Sequence, residues 1–263
     1  MIASGDIEFR SADGVRLYGT IKAPEGLPRG LLLFCHGITS DRSEWGIFDK
    51  AAEALSRIGV GSLRFDFRGH GESVLPSEKI GLEGMADDVR AAWSRLMSLL
   101  DGPPLPSFVI GSSFGGGIAY RTVDRIGGAE RAFLLAPVFD YLADITKTAP
   151  KWKAQLERKG TFSYSVLKLG GQIVEDARAM APSDAPASLP VTIFHGTLDD
   201  DVPLESSRRF AADHPQCELI EVEGAGHVIA APGDLDMEDD RSWALVDEVI
   251  RMILERIAPR LEA

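Results

Sequence analysis

Three residues in this sequence are of the types that attack on a carbonyl carbon requires. Ser113 lies in Gly111-Ser112-Ser113-Phe114-Gly115, Asp199 in His195-Gly196-Thr197-Leu198-Asp199-Asp200-Asp201-Val202-Pro203, and His227 in Gly224-Ala225-Gly226-His227. A serine hydroxyl is a poor nucleophile at neutral pH, so an imidazole must take its proton as it attacks. The imidazole in turn needs a carboxylate to fix its tautomer and stabilise the imidazolium. Charge that develops on the carbonyl oxygen needs preset N–H donors, each typically worth about 3–4 kcal/mol. The serine is defined by its flanks: Ser113 stands between two glycines, whereas Ser112 would need a glycine in place of Ile110. The carboxylate is less defined, because Asp200 and Asp201 adjoin Asp199.

Such chemistry works only if the chain brings these loops together. Phe108-Val109-Ile110 is an apolar run, and a small-residue segment from Gly115 to Tyr120 follows the serine at once. That layout predicts a strand, a sharp turn and a helix, with glycine on both sides of the bend, where a Cβ would meet neighbouring backbone. The helix would turn its free first N–H groups toward the bend. Ahead of it, Ile7 to Arg10 and Val15 to Ile21 alternate around Ala12-Asp13-Gly14, which predicts an antiparallel hairpin. Gly30 to Cys35, Gly61 to Asp66 and Ala132 to Pro137 read as buried strands, and Phe48 to Ile58 and Leu82 to Leu100 as amphipathic helices between them. The order predicts a parallel sheet with right-handed crossovers. From Val138 to about Pro190 no strand is evident; a turn at Gly160 to Tyr164 and a helical run from Val166 into Ala181 predict a small helical insertion. The alternation resumes with strand Val191 to Phe194, helix Leu204 to His214, strand Glu218 to Val222 and helix Ser242 to Ile257. In an open parallel sheet, sites form at the carboxyl ends of strands, where all three candidate loops fall.

Taken together, the loops resemble those of the α/β-hydrolases, and the likeness runs over nearly the whole chain. His36-Gly37-Ile38 matches that family's oxyanion loop, and Asp66-Phe67-Arg68-Gly69-His70-Gly71-Glu72-Ser73 its Asp-x-Arg-Gly-His-Gly-x-Ser loop. Gly111 to Gly115 matches its nucleophile turn, His195-Gly196-x-x-Asp199-x-x-Val202-Pro203 its acid loop, and Gly226-His227 its histidine loop. The chain is most similar to small bacterial esterases with a short helical cap, including feruloyl- and cinnamoyl-esterase-like enzymes. Acyl-protein thioesterase-like hydrolases are nearly as close. The resemblance implies an α/β-hydrolase fold: a mostly parallel eight-stranded sheet with an N-terminal antiparallel hairpin, helices on both faces and a small helical cap insertion. Residues 1–263 would form one domain, with the cap at 138–190. Ser113 would be the nucleophile, His227 the general base and then acid, and Asp199, selected over Asp200 and Asp201 by the motif spacing, its orienter. The backbone N–H groups of Ile38 and Phe114 would form the oxyanion hole. The expected reaction is cleavage of a carboxylic ester or thioester through an acyl-enzyme on Ser113, with no cofactor. An acyltransferase or a carbon–carbon bond hydrolase would use the same residues. A non-catalytic small-molecule receptor would have no need of them.

Composition narrows the partners. A net charge of −12 argues against a nucleic-acid partner and for a soluble, self-repelling surface, while the resemblance implies a small-molecule acyl ester or thioester as substrate. No stretch reaches the roughly eighteen apolar residues of a membrane span, and the N-terminus lacks a signal-peptide pattern, so a cytoplasmic location is expected. Cys35 and Cys217 read as reduced, buried thiols. The histidines lack metal-ligand spacing, so no metal is expected; His36, His70 and His195 read as braces within loops, and His214 as a surface residue ending a helix. The segment from Lys147 to Lys168 carries Lys147, Lys151, Lys153, Arg158, Lys159 and Lys168 against one acid, Glu157. Either this is a solvated helix face or it is a basic rim that draws an anionic, carboxylate-bearing substrate or an acidic carrier protein.

Overall fold

The computed structural model describes residues 2–100, 102–180, 188–234 and 236–262. In chain order its elements are β1 (Gly5–Arg10), β2 (Arg16–Lys22), β3 (Gly30–Cys35), α1 (Ile47–Arg57), β4 (Val60–Phe65), α2 (Leu82–Met97), β5 (Ser107–Ser112), α3 (Ser113–Ile126) and β6 (Arg131–Leu135). There follow α4 (Tyr141–Thr148), α5 (Trp152–Lys159), β7 (Thr161–Tyr164), β8 (Leu167–Gly170), α6 (Gln172–Ala179), β9 (Val191–Gly196), α7 (Leu204–Asp213), β10 (Cys217–Val222) and α8 (Asp240–Ile257). No helix among the described residues is long and apolar enough to cross a membrane.

Eight strands form one sheet in the order β1-β2-β4-β3-β5-β6-β9-β10. β1 pairs antiparallel with β2, and β2 antiparallel with β4; every other neighbouring pair is parallel. The burial of each strand follows from its place. β2, near the edge, alternates buried and half-buried residues, whereas all six residues of β3 and of β5 are buried. Strands covered on both faces need apolar side chains at every position, which is why Gly30 to Cys35 is a continuous apolar run. Leu31, Leu33 and Cys35 enter an apolar layer with α2 and α3, and Leu32 and Phe34 enter the opposite layer with α1 and α8. Full burial of one such Leu or Phe contributes about 1.5–3 kcal/mol relative to exposure.

The chain leaves β3 toward β4 on one side and returns to place β5 on the other. The crossovers therefore diverge between β3 and β5, opening a crevice beyond their carboxyl ends. Cys35 lies opposite Gly111 in the pairing, so the loops that begin at His36 and at Ser113 emerge side by side.

The insertion between β6 and β9 differs from the helical reading. It contains three short helices and a two-stranded hairpin, β7–β8, where a turn and the start of a helix were expected. Gly160, with φ +71°, ends α5, and Ser165, with φ +50°, makes the turn. Within β7 the side chains alternate, Phe162 and Tyr164 inward and Ser163 outward. Four-residue strands carry only two periods of that alternation, too few to stand out beside the helical spacing of the residues that follow. β8 also needs a partner outside the insertion: the Ser77 hydroxyl donates to the Lys168 carbonyl at 3.0 Å. The last part of the expected helix, at Ala181, lies outside the described residues. Phe139, Tyr141, Trp152, Phe162 and Leu169 extend the apolar layer of α2 and α3, so the insertion sits on that face of the sheet.

Candidate active site

Ser113 is the first residue of α3 and has φ +48°, a left-handed conformation that a non-glycine residue adopts at a cost. The surrounding glycines make the bend sterically possible. A Cβ on Gly111 would lie 2.6 Å from the Gly116 Cα, and one on Gly115 would lie 1.9 Å from the His36 carbonyl oxygen. Neither obstacle is a side chain that could rotate away. Gly115→Ala is therefore expected to cost about 3 kcal/mol of stability, read as a lower urea midpoint with an unchanged m value.

The acid and histidine loops are joined in the same way, through neighbouring strands. β9 and β10 pair in parallel up to Gly196 opposite Val222, and beyond them the Leu198 N–H donates to the Ala225 carbonyl at 2.8 Å. The Gly224 N–H donates to the Thr197 hydroxyl at 2.9 Å. This brings His227 Nε2 to 3.0 Å from Ser113 Oγ and His227 Nδ1 to 2.8 Å from Asp199 Oδ2. Of the three consecutive aspartates, Asp199 alone makes this contact; its side chain is fully buried, whereas Asp200 and Asp201 are exposed. The other carboxylate oxygen of Asp199 accepts from the backbone N–H groups of Val202 at 2.8 Å and Asp201 at 3.0 Å.

These contacts set the charges. Burial opposes ionisation of Asp199, but hydrogen bonds from His195 and His227 and from the Val202 N–H hold its carboxyl well below the usual carboxylate range. Burial likewise opposes a charged His227; Asp199, with Asp201 and Glu44 nearby, outweighs it and raises the imidazole above the ordinary histidine value. The ionised Asp199 accepts a hydrogen bond from Nδ1–H and so keeps the proton on that nitrogen, which leaves the Nε2 lone pair of neutral His227 facing the serine hydroxyl.

Ile38 lines the cavity that opens at Ser113, and Phe114 is the second residue of α3. Phe114 N–H is among the first-turn groups that have no carbonyl partner inside the helix. From behind, the Tyr141 hydroxyl donates to the Phe114 carbonyl at 3.1 Å. The other loop histidines brace. His36 Nδ1 donates to the Gly37 carbonyl at 2.7 Å and its Nε2 accepts from the Phe67 N–H at 2.9 Å. Its burial, with His70 beside it, lowers its pKa to about 3, so it stays a neutral pin between the loops after β3 and β4. His70 Nδ1 bonds the Arg68 carbonyl at 3.0 Å, and His195 bonds Ser207 Oγ at 2.8 Å and the Val202 carbonyl at 3.0 Å. His214, expected at the surface, is half-buried and stacks on Phe210 with 3.9 Å between ring centroids. Cys35 is buried as expected, while Cys217 is half-buried, and both are free thiols.

The cavity at Ser113 measures about 440 Å³. Trp45, Leu198, Val228 and Met237 supply apolar wall, and Glu44, Asp144, Asp200, Asp201, Asp234 and Asp236 supply six carboxyl groups. None of the six basic residues of the insertion lines it, so the basic rim is absent from its walls. Lys147 instead turns its ammonium group to the backbone carbonyls of Asp200 and Asp201. Glu44 escaped sequence reading, because an acid just ahead of a helix is an ordinary partner for the helix dipole.

Comparison with known proteins identifies the family and the fold. Residues 26–162 match the Hydrolase_4 family, described as "Serine aminopeptidase, S33". A monoacylglycerol lipase of Mycolicibacterium smegmatis is 23% identical over 231 residues, 76% of this chain and 81% of the lipase. The human mitochondrial palmitoyl-protein thioesterase ABHD10 is 29% identical over 176 residues, 60% of this chain and 54% of its own. Est1E of Butyrivibrio proteoclasticus, solved with ferulic acid bound, superposes with a TM-score of 0.76 at 22% identity, covering 96% of this chain and 99% of that one, and shows the shared fold. The family match spans more than half of the chain, and the protein is thus an α/β-hydrolase-fold serine hydrolase that belongs to the serine aminopeptidase S33 family.

Proposed function

We propose that the protein hydrolyses carboxylic esters or thioesters through an acyl-enzyme on Ser113. The observation that carries this reading is the hydrogen-bonded chain from Asp199 through His227 to Ser113, held at a strained bend that opens into a cavity. Ser113 Oγ attacks the acyl carbonyl while its proton passes to His227 Nε2. The resulting imidazolium is stabilised by Asp199, and the oxyanion is received by the N–H groups of Ile38 and Phe114. His227 then gives the proton to the leaving alcohol or thiol. Water activated by the same imidazole releases the acid and restores the serine. The lipase and thioesterase among the relatives support an acyl substrate, and the insertion, whose Asp144, Thr148, Tyr164 and Ser165 line the cavity, serves as the cap over it. A fluorophosphonate probe tests the reading: it should label Ser113 in the folded protein and leave Ser113→Ala unlabelled, and a folded protein without an adduct would contradict it.

The cavity walls also favour an uncharged acyl group. A carboxylate bound among Glu44, Asp144, Asp200, Asp201, Asp234 and Asp236 would meet like charge with no Lys or Arg in the lining. A neutral ester is therefore expected to surpass an isosteric ester bearing a terminal carboxylate by about tenfold in kcat/KM, with the gap narrowing as salt is added. Equal rates for the two esters, or a preference for the anionic one, would restore the basic rim as the substrate-selecting feature.

A further inference from the structure

Glu44 is a buried acid beside the nucleophile that the proposed reaction leaves without a task. Its side chain is fully buried, although it belongs to a polar loop between β3 and α1. The backbone is bent to put it there: Glu44, Trp45 and Gly46 have φ +47°, +53° and +86° in succession. Two successive non-glycine residues in the left-handed region cost of order 1–3 kcal/mol each and persist only where the surroundings impose them. What that conformation achieves is a single directed contact. Glu44 Oε2 accepts from the Gly37 N–H at 3.0 Å, in the residue that immediately precedes Ile38.

Gly37 is held between this carboxyl and the nucleophile. A Cβ built on it would stand 3.2 Å from Glu44 Oε1 and 3.4 Å from the Ser113 Cβ. The second carboxyl oxygen, Oε1, and the Ser112 hydroxyl are buried close to one another, but neither makes a well-formed hydrogen bond among the described residues. A buried acid with one firm partner is an expensive way to fill space. Burial holds its carboxyl above the usual carboxylate range, and the nearby Ser112 hydroxyl, the Gly37 N–H, the Ser40 hydroxyl and the charge of His227 offset this only in part.

We propose that Glu44 is a positioning residue, whose carboxylate fixes the Gly37–Ile38 peptide against the Ser113 bend and so aims the Ile38 N–H at the oxyanion. This rests on the acyl-enzyme reading of Ser113. An oxyanion donor acts through preset geometry, so a loosened Gly37 would be felt in the transition state and little in substrate binding. The carboxylate also adds to the negative groups that face His227: Asp199 and Asp201 from the loop after β9, and Asp144 from α4.

The test compares Glu44→Gln with Glu44→Met, which have similar volume and differ in the acceptor, in the full chain with folding checked by thermal denaturation. Glu44→Met should lose about 10- to 100-fold in kcat with KM within about threefold, whereas Glu44→Gln, whose amide oxygen can take the Gly37 N–H, should stay within about fivefold of wild type. Glu44→Gln should also lower the acid-limb midpoint of kcat/KM, because one negative charge facing His227 is gone. Wild-type kcat in Glu44→Met, a Glu44→Gln as slow as Glu44→Met, or an acid limb unmoved in Glu44→Gln would each overturn the proposal. If Glu44→Met does not fold, the pH profile of Glu44→Gln decides alone. Fluorophosphonate labelling of the wild type keeps the two claims apart. No adduct sinks the Ser113 reading; an adduct with an unmoved Glu44→Gln profile sinks only the assignment of Glu44.

Discussion

Ser113→Ala is expected to lower kcat by about a million-fold and to leave the fold intact. The substitution removes one oxygen from a side chain that is 8% exposed at the cavity floor. Alanine adds no bulk to the bend, and His227 Nε2, left without its serine, can bond to water in the cavity; the stability change should stay within about 1 kcal/mol. What disappears is the oxygen proposed to form the acyl-enzyme. The members of such a set act as a unit, so the double variant Ser113→Ala/His227→Ala should be no slower than either single one. Residual hydrolysis of roughly a thousandfold or more over water should survive in all three, supplied by the oxyanion donors and binding. Steady-state rates with an activated neutral ester, and melting curves for each variant, provide the measurements. Multiplicative losses would show that the residues work independently.

The second large effect is expected at Asp199. Asp199→Asn should reduce kcat by about ten-thousandfold while the structure persists, since the amide oxygen can still accept from the Val202 and Asp201 N–H groups. The loss comes from the other half of the amide. Its NH2 faces His227 Nδ1 in place of a carboxylate oxygen, so Nδ1 becomes an acceptor and the proton moves to Nε2, where it blocks uptake of the serine proton. The pH profile carries the same information with a sign. His227 must be neutral to act as base, so kcat/KM falls as pH drops through its pKa, which Asp199 holds above the ordinary histidine value. Removing the Asp199 charge should move that acid limb to lower pH, in the residual activity of Asp199→Asn. A limb that stays in place would mean that another group controls it.

How much of this was legible in the sequence depended on the kind of signal each part carries. β3 and β5 were readable because strands covered on both faces leave continuous apolar runs, and the glycines around Ser113 because backbone lies where their Cβ atoms would be. The choice among Asp199, Asp200 and Asp201 could be made only by likeness to a motif. In space it follows from burial, because one side chain of the three turns in to His227. The β7–β8 hairpin went unread because its pairing partners and the Ser77 contact under it are matters of tertiary structure. Glu44 carried no local mark at all. Its importance comes from a backbone bend that drives a charged side chain inward, and the residue types there, Ser43-Glu44-Trp45-Gly46, read as an ordinary approach to a helix. The basic residues of the insertion left two readings open, because their charge is visible in the chain but the acidic lining of the cavity, from which they are absent, is not.

The central claim is a covalent intermediate on Ser113, and rapid mixing with a p-nitrophenyl ester followed by acid quench and mass analysis addresses it most directly. A burst of nitrophenol close to one equivalent per protein, with the acyl mass on the peptide that contains Ser113 and absent from Ser113→Ala, is the predicted result. Turnover of the ester with no acyl mass on that peptide, under conditions where a burst is seen, would place the chemistry on another residue and contradict the account.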